Sequence, residues 1–242
     1  LAEQDGALLS LRNLLSLDFS KMEKIINEKQ YNNFAEGYSE NIQQLNSVSR
    51  ESFFSVVGSE LKDKSVLDVA CGDGTDGKIY KDMGATYTGV DISEENIRVA
   101  KTLDNQSKFL VGRAEDLAFT NESFDLVVSK YAIQSFLDIE KFYKEVRRVL
   151  KPGGKFIFLG THPTRQFIEK NKVSKDYFKS EIVASTIFNG KIKLEEPSHT
   201  FNEYLSAQFL KDFDLRSFVE KEEFPGADRI GEDNYPCFFI VE

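Results

Sequence analysis

Two acidic residues and a glycine turn lie close together along the chain and could bind a nucleoside. Asp68 lies within a short apolar segment, and the turn Gly72-Asp-Gly74 follows it at once. Asp91 ends the next apolar segment, seventeen positions after Gly74. A glycine turn lets the backbone approach a bulky polar ligand, and an acid at the tip of the next strand can hold both hydroxyls of a ribose. The pattern predicts a pocket for a cofactor that contains adenosine.

These residues need a scaffold that brings the ends of their strands together, and the rest of the chain predicts one. From Ser65 onward, short apolar runs alternate with stretches of helical length, which is typical of a parallel sheet covered by helices on both faces. The predicted strands are 65–70, 86–90, 107–111, 124–128, 155–160, 214–221 and 236–241. The predicted helices are 75–83, 93–104, 139–150 and 200–212. Ser93 and Thr200 are expected to cap two of these helices.

The chain divides into a front piece and one larger domain. Residues 1–60 carry apolar positions at helical spacing, so we expect a helical cap or lid there. Residues 61–242 are expected to form one α/β domain. Within it, 161–199 is rich in Lys and aromatic residues, contains an Asn189-Gly190 turn signal and shows no clear period, so we expect an insertion after the fifth strand.

Composition argues against several classes of protein. With 242 residues, 40% of them hydrophobic, the chain is long enough for one domain with a substantial core. The net charge of -9 argues against nucleic-acid binding. No apolar run approaches the length of a membrane span, and the first residues lack the charged-then-apolar pattern of a secretory signal. Cys71 and Cys237 are the only cysteines, and Cys71 lies in the glycine turn, so we expect a cytoplasmic protein without disulfides. No metal site is expected.

The glycine turn is compatible with more than one cofactor. Residues Gly72 to Gly77 spell G-x-G-x-x-G, so a nicotinamide-dependent oxidoreductase is one alternative. Asp68 argues against it, because a pyrophosphate pocket has no use for a buried anion, whereas a cofactor with an ammonium group has. A non-catalytic nucleoside-binding module is a second alternative, which the intact turn and Asp91 disfavour.

Three further motifs complete an ordered series along the chain. Gly112-Arg-Ala-Glu-Asp-Leu-Ala-Phe119 follows the third strand, Ser123-Phe-Asp-Leu-Val-Val-Ser129 makes the fourth, and Glu145-Val-Arg-Arg-Val-Leu-Lys-Pro-Gly-Gly154 ends the third helix. The series resembles the class I S-adenosylmethionine-dependent methyltransferases, in particular the small-molecule enzymes related to the ubiquinone pathway. The resemblance is strong over 62–160, weaker from 200 to 242 and faint elsewhere.

The resemblance implies both a fold and a reaction. The fold is a seven-stranded, mostly parallel Rossmann-like sheet of order 3-2-1-4-5-7-6 with helices on both faces and strand 7 antiparallel. The reaction is transfer of a methyl group from S-adenosylmethionine to an oxygen, nitrogen or carbon atom of a small-molecule acceptor, which leaves S-adenosylhomocysteine. The insertion 161–199 then lies on the acceptor side, and a monomer or a homodimer is expected.

The same resemblance implies roles for individual residues at the cofactor. Ala70, Gly72 and Gly74 would cradle the methionine part, with Asp68 near its ammonium group and Tyr38 closing over its carboxylate. Asp91 would bind the ribose. The adenine contacts would come from Ile92, Ala114 and Glu115, and Lys130 would line the floor beside the methyl group. Arg113 departs from the family pattern, since many relatives carry Asp there, and this shifts the expected adenine amine contact to Glu115 or Asp116.

The acceptor side offers two histidines as candidate bases, His199 and His162. His199 is the better candidate, and Tyr31, Tyr131 and Gln134 are expected to bind the acceptor. Structural roles stay open for these residues: His162 could cap a turn and His199 could pack beside a helix N-cap. Tyr31, Phe34 and Tyr38 could equally form one apolar face of a helix rather than a lid.

Overall fold

The computed structural model describes residues 28–33, 35, 47–136, 138–170, 176–187, 192–222, 229–230 and 233–242. In chain order its strands are β1 Ser65–Val69, β2 Thr86–Asp91, β3 Lys108–Val111, β4 Phe124–Lys130, β5 Leu150–Thr161, β6 Ile182–Ile187, β7 Ile192–Pro197, β8 Phe218–Lys221, β9 Arg229–Ile230, β10 Asp233–Asn234 and β11 Phe238–Val241. The helices are α1 Val48–Val57, α2 Gly77–Asp82, α3 Glu94–Leu103, α4 Ile139–Val149, α5 Pro163–Lys170, α6 Phe201–Tyr204 and α7 Ala207–Asp212. Residues 28–33 and 35 are also helical, and Ile133–Ser135 forms a 3-10 turn.

Seven strands form the central sheet in the order β3-β2-β1-β4-β5-β11-β8. The first five run parallel, and β11 is antiparallel to both of its neighbours. Counted within this sheet, β8 is the sixth strand and β11 the seventh, so the predicted order and the predicted reversed strand are confirmed. The parallel strands present their carboxyl ends at one edge, which is where α/β sheets bind their ligands.

Helices cover both faces of β1, and this places an acid inside the protein. Val66 and Leu67 are fully buried although they point to opposite faces of the sheet. Val66 packs in a core that also contains Phe53 of α1, and Leu67 packs in a core that contains Phe142 of α4. Since side chains alternate along a strand, Asp68 lies on the same face as Val66, and its carboxylate is enclosed by the first of these cores.

The helix α1 belongs to the sheet's core although it precedes the predicted domain boundary at residue 60. Ser47 caps it by accepting a hydrogen bond from the Arg50 N–H at 3.2 Å. Phe53 on this helix is fully buried. The front piece of the chain therefore supplies one of the helices that cover the α/β sheet.

The helix predicted over 200–212 is divided into the two short helices α6 and α7. The Thr200 N–H donates to Oε2 of Glu203 at 2.7 Å, as a capping box requires. The chain then leaves the helical conformation, and Ser206 starts the next helix by accepting a hydrogen bond from the Phe209 N–H at 3.1 Å. A serine inside a predicted helix competes for backbone hydrogen bonds, and it is the signal that marked the break.

The insertion contains regular structure that the sequence analysis did not predict. It holds α5 and an antiparallel hairpin formed by β6 and β7. In β7, Ile192 and Leu194 are buried, whereas Lys193 and Glu195 are exposed. This alternation is visible in the sequence, but it covers too few residues to indicate a strand without the pairing. The predicted Asn189-Gly190 turn lies outside the described residues.

Two strands of the central sheet begin four or more residues away from their predicted first residue. β5 begins at Leu150, so the Lys151-Pro-Gly-Gly154 stretch lies inside the strand rather than before it. The pairing of β4 with β5 is irregular between Phe124 and Leu126, which accommodates this stretch. β8 begins at Phe218, four residues later than predicted. Within the described ranges, the helices lack the combined length and apolar character that a membrane crossing requires.

Candidate cofactor and acceptor site

The turn after β1 lies at the carboxyl edge of the sheet and has an uncommon backbone conformation. Ala70, Gly72 and Gly74 have positive φ angles of 61, 56 and 71°. Glycine adopts this region freely, whereas residues with a Cβ rarely do. A Cβ built on Gly72 would have no atom of the described residues within 4 Å. Among these residues the space in front of Gly72 is therefore open, as the predicted close approach of a ligand requires.

Gly74 is a glycine for a different reason from the one expected. A Cβ at this position would lie 2.5 Å from Cε1 of Phe109 and 3.3 Å from Cβ of Ala100. Phe109 belongs to β3 and Ala100 to α3, so the turn packs directly against these two elements. Gly74 is thus required by internal packing, and its φ angle adds to that requirement.

Asp91 ends β2 with its carboxylate held against the turn. Oδ2 accepts a hydrogen bond from the Gly72 N–H at 2.8 Å, and Oδ1 accepts from the Ser93 N–H at 2.9 Å and from Asn96 Nδ2 at 3.2 Å. Burial raises the pKa of Asp91, and these donors oppose the rise. Ile92, the next residue, is half-buried. A fixed carboxylate beside a glycine turn is the arrangement that binding of a ribose diol requires.

Asp68 is a buried acid whose charge the protein does not fully compensate. The residue is 3% exposed, and its Oδ2 accepts a hydrogen bond from the Tyr87 hydroxyl at 3.0 Å. Burial raises the pKa of Asp68 to about 6, and the charge of Lys130 and the bond from Tyr87 oppose the rise. A ligand cation near Asp68 would therefore be attracted to a carboxylate that has been removed from water.

Two basic residues lie at the same edge and share one acid. Lys130, the last residue of β4, contacts the carboxylate of Asp76, and Oδ1 of Asp76 also accepts a hydrogen bond from Arg50 Nη2 at 2.5 Å. Burial lowers the pKa of Lys130 to about 8, and the charge of Asp68 opposes the fall. Two cations and two carboxylates can hold both charges of an amino-acid zwitterion. The sequence analysis named Lys130 and Asp68 but not Arg50 or Asp76, because Arg50 comes from α1 and no local motif marks it.

The segment after β3 lies beside Asp91. The Gly112 N–H donates to the backbone oxygen of Asp91 at 2.9 Å, which brings this segment to the end of β2. Ala114 is buried. The carboxylate of Glu115 lies 3.5 Å from Nη2 of Arg113, and Nη1 of Arg113 has no hydrogen-bond partner among the described residues. The predicted adenine-side residues are thus brought together, with Glu115 paired to the arginine that departs from the family pattern.

Two of the three predicted acceptor residues meet at the 3-10 turn after β4. The hydroxyl of Tyr31 lies 2.9 Å from Oγ of Ser135. Gln134 is buried in the same turn, and its Oε1 accepts a hydrogen bond from the Thr161 N–H at 3.5 Å. Tyr131 precedes the turn with a φ angle of 50°. Tyr38 and Phe34 lie outside the described residues, so the lid and the apolar face predicted for them stay predictions.

His162 has hydrogen-bond partners on both ring nitrogens. Its Nδ1 accepts a hydrogen bond from the Thr164 N–H at 3.0 Å, so the proton is on Nε2, which donates to Oε1 of Glu220 at 2.6 Å. Burial lowers the pKa of His162, and Glu220 opposes the fall. These contacts cap the turn into α5, which favours the structural role weighed for His162 over a catalytic one.

His199 lies between β7 and α6, in an environment that differs from that of His162. The residue is 5% exposed, and in the described part of the chain neither ring nitrogen has a hydrogen-bond partner. Its Nδ1 lies 3.6 Å from Oε1 of Glu203, and its ring centroid lies 5.4 Å from that of Tyr204, whose hydroxyl is likewise without a partner among those residues. The His199 ring lowers the pKa of Glu203 to about 2, with help from the Thr200 N–H.

This arrangement singles out His199 among the candidate acceptor residues. A buried polar atom without a partner costs stability, and such atoms need an explanation of their own. A catalytic role is one such explanation. Glu203 closes the capping box of α6 through Oε2, and its other oxygen, Oε1, faces His199.

Comparison with known proteins agrees with the motifs. Residues 67–158 match a family model described as a methyltransferase domain. A ubiquinone biosynthesis O-methyltransferase of Rhizobium leguminosarum is 38% identical over 100 residues, which cover 40% of this chain and 39% of that protein. A phthiotriol/phenolphthiotriol dimycocerosates methyltransferase of Mycobacterium ulcerans is 36% identical over 115 residues, which cover 46% of this chain and 42% of that protein.

The fold also matches a solved structure. The crystal structure of a putative S-adenosylmethionine-dependent methyltransferase from Listeria monocytogenes aligns with a TM-score of 0.65 and 23% identity, over 80% of this chain and 95% of that one. The chain spans 42 to 50% of the length of the first curated relatives that it matches. Residues 67–158 therefore match the methyltransferase-domain family, in agreement with the resemblance drawn from the motifs for this part of the chain.

Proposed function

We propose that the protein transfers a methyl group from S-adenosylmethionine to an oxygen, nitrogen or carbon atom of a small molecule, by in-line displacement in a closed site. The observation that carries the proposal is the pairing of Asp91 with the Gly72 N–H beside a space that no side chain of the described residues fills. The known relatives support a small-molecule acceptor, but they are named for chemically different acceptors. The acceptor is therefore proposed only as a class.

The residues of the site fit this cofactor in charge and shape. The open turn at Gly72 leaves room for the amino-acid tail, Asp68 offers a carboxylate to its ammonium group, and Lys130 lies beside them as a cation for its carboxylate. Asp91 would accept hydrogen bonds from the ribose, and Ile92, Ala114 and Glu115 would surround the adenine. Bound S-adenosylmethionine supplies a methyl group on a sulfonium, which leaves without being protonated.

The chain's contribution to such a reaction is mainly positioning. Holding the acceptor in line with the methyl group in a dry site can remove about 7–11 kcal/mol of barrier. Tyr31, Tyr131 and Gln134 are proposed to orient the acceptor. We place the protein in the cytoplasm, as expected from the position of Cys71 within the glycine turn.

A base is needed only when the acceptor carries a proton that must leave. We propose His199 for this task, because its buried ring has no hydrogen-bond partner among the described residues while His162 has one at each nitrogen. Glu203 lies beside Nδ1 of His199 and would stabilise the positive charge that the ring acquires. An acceptor hydroxyl or carbon acid would use this pair.

Calorimetric titration of the protein with S-adenosylhomocysteine and with NAD tests the proposal and separates it from the nicotinamide alternative. We expect S-adenosylhomocysteine to bind with one site per chain and NAD to give no signal. Binding of NAD alone would instead favour an oxidoreductase. A crystal soaked with S-adenosylhomocysteine would then show which residues surround the methyl position, and the proposal would be wrong if the nucleoside lay away from Asp91.

A further inference from the structure

The helical residues 28–33 contact three separate parts of the domain through consecutive side chains. Asn32 Oδ1 accepts hydrogen bonds from Ser93 Oγ at 2.7 Å and from the Glu95 N–H at 3.3 Å. The Tyr31 hydroxyl lies 2.9 Å from Oγ of Ser135. Gln30 binds the backbone of Glu195, accepting from its N–H at 2.8 Å and donating to its oxygen at 3.3 Å. We call residues 30–32 the strap.

One end of the strap acts on Asp91 through Ser93. The Ser93 hydroxyl donates to Asn32 and accepts from the Asn96 N–H at 3.0 Å, so both of its hydrogen-bonding roles are used. The Ser93 N–H and the Asn96 amide donate to Oδ1 of Asp91. Ser93 is fully buried, and Asn96 and Asp91 are nearly so. Asn32 therefore fixes the serine that helps to orient the carboxylate proposed to bind the ribose.

The other end of the strap holds the acceptor-side hairpin. Gln30 forms two hydrogen bonds with the backbone of one residue of β7, Glu195, as a neighbouring strand would. One face of β7 is buried through the side chains of Ile192, Leu194 and Glu196. His199 follows two residues after the end of β7. The position of β7 thus bears directly on the residue proposed as base.

We propose that the strap couples the cofactor pocket to the acceptor side, with Asn32 as a positioning residue for Asp91 and Gln30 as the link to β7. This inference rests on the proposed function in one respect, that the cofactor binds at Asp91. A ligand that fixes Asp91 also stabilises the Ser93–Asn32 contact, which holds the strap and with it β7 in place. Because such coupling is reciprocal, a docked hairpin also strengthens cofactor binding.

The amide of Glu195 reports directly on the strap. Its N–H donates to Gln30, so its hydrogen exchange, followed by NMR, measures how often this contact opens. In the ligand-free protein we expect Asn32→Ala to speed this exchange about three- to tenfold. Asn33→Ala is the matched control, because Asn33 is exposed and adjacent in the same helix, and it should change nothing.

The second part of the experiment repeats these exchange measurements with saturating S-adenosylhomocysteine. In the wild-type protein it should slow exchange of the Glu195 amide at least threefold, and in Asn32→Ala this effect should vanish. Calorimetry should show the ligand bound about tenfold more weakly by Asn32→Ala and at most about threefold more weakly by Gln30→Ala. A strap that was only structural would speed exchange in the variants but leave it insensitive to the ligand in the wild type.

Each result bears on the strap separately from the methyltransferase assignment. If Asn32→Ala leaves the hydrogen exchange of the Glu195 amide unchanged in the ligand-free protein, the proposed role of the strap is wrong, whichever cofactor binds. If the ligand binds the wild type but does not alter this exchange, the coupling is wrong while the proposed function stands. If the ligand does not bind at all, the proposed function fails and takes the coupling with it.

Discussion

The carboxylate of Asp91 accepts a hydrogen bond from the backbone N–H of Gly72 at 2.8 Å. This bond joins the end of β2 to the turn after β1, across the point where two neighbouring parallel strands finish. One acid therefore serves two purposes: it holds the turn in its open conformation, and it presents a carboxylate to the proposed ribose.

Replacing Asp91 tests the proposed ribose contact. Asp91→Ala should weaken binding of S-adenosylhomocysteine tenfold or more, since hydrogen bonds to a charged group are worth about 1.5–3 kcal/mol. Calorimetry measures the affinity. Asp82→Ala, at an exposed acid on α2, is the control and should bind normally. Unchanged affinity in Asp91→Ala would mean that the ribose contact is misplaced.

The two glycines of the turn should respond differently to alanine. Gly74→Ala places a Cβ 2.5 Å from Phe109, so overpacking and backbone strain together should lower the free energy of unfolding by about 2–5 kcal/mol. Gly72→Ala adds only the strain, about 1–2 kcal/mol, because its Cβ meets no atom of the described residues. Its Cβ would instead enter the cofactor's space and weaken ligand binding more than tenfold.

Urea unfolding and calorimetry on both glycine variants make the comparison. The proposed cradle would be contradicted if Gly72→Ala bound S-adenosylhomocysteine as tightly as the wild type. Equal losses of stability in the two variants would contradict the packing role of Gly74.

Asp68 should destabilise the protein at neutral pH. Its pKa is about 6 in the folded chain, against 3.8 for an ordinary aspartate. Because the pKa is raised in the folded state, the proton on Asp68 stabilises the fold fully below pH 3.8, and this stabilisation is lost as the pH rises through 6. The loss of folding free energy is about 2–3 kcal/mol at neutral pH. Asp68→Asn keeps an acceptor for Tyr87, so we expect it to be more stable than the wild type at pH 7.5 and similar near pH 3.5 in chemical unfolding. No gain at pH 7.5 would show that the charge is compensated.

Cofactor binding should depend on the same titration. A ligand ammonium group lowers the pKa of Asp68 from about 6, so protons compete with the ligand below this pH. Affinity for S-adenosylhomocysteine should be constant from pH 7 to 7.5 and fall as the pH drops below 6, by up to tenfold per unit. Asp68→Asn should bind more weakly and show a flatter pH profile. A wild-type profile that is flat down to pH 5 would place the ammonium group elsewhere.

The two histidines should have opposite effects on stability when replaced by leucine. His199→Leu removes two buried nitrogens that have no hydrogen-bond partner among the described residues, but it also removes the ring that lowers the pKa of half-exposed Glu203. The free energy of unfolding should therefore rise by no more than about 1 kcal/mol, while methyl transfer to a hydroxyl acceptor falls. His162→Leu breaks the bonds with Thr164 and Glu220 and should lower the free energy of unfolding by about 1–3 kcal/mol. Thermal unfolding of the two variants checks the sign, and a loss of stability in His199→Leu would indicate a structural role for that ring.

Residues close together in sequence were the ones that the sequence analysis placed correctly. Asp68, the turn at Gly72 and Asp91 belong to one strand–turn–helix–strand unit, in which spacing alone sets their order. Ser93 caps α3 as expected because a cap depends on the next three residues. The order of the sheet came from the resemblance to a known family, and the structure confirms it.

Contacts between residues far apart in the chain were not predictable in this way. Asn32 meets Ser93 across 61 positions, and the His199 N–H meets Gln166 across 33. The hairpin of β6 and β7 was missed because each strand is short and becomes recognisable only when paired with the other. The packing of Gly74 against Phe109 was missed because the sequence does not show that Phe109 lies behind it.

The amino-acid order specifies a strand, a tight turn and an acid at each strand end, since these follow from local backbone preferences and from the alternation of apolar residues. It does not specify which of two histidines has its nitrogens satisfied, or that Gln30 reaches β7. Those facts depend on how the N-terminal helix and the insertion pack across the edge of the sheet, where burial and hydrogen bonding are settled by residues that no local pattern connects.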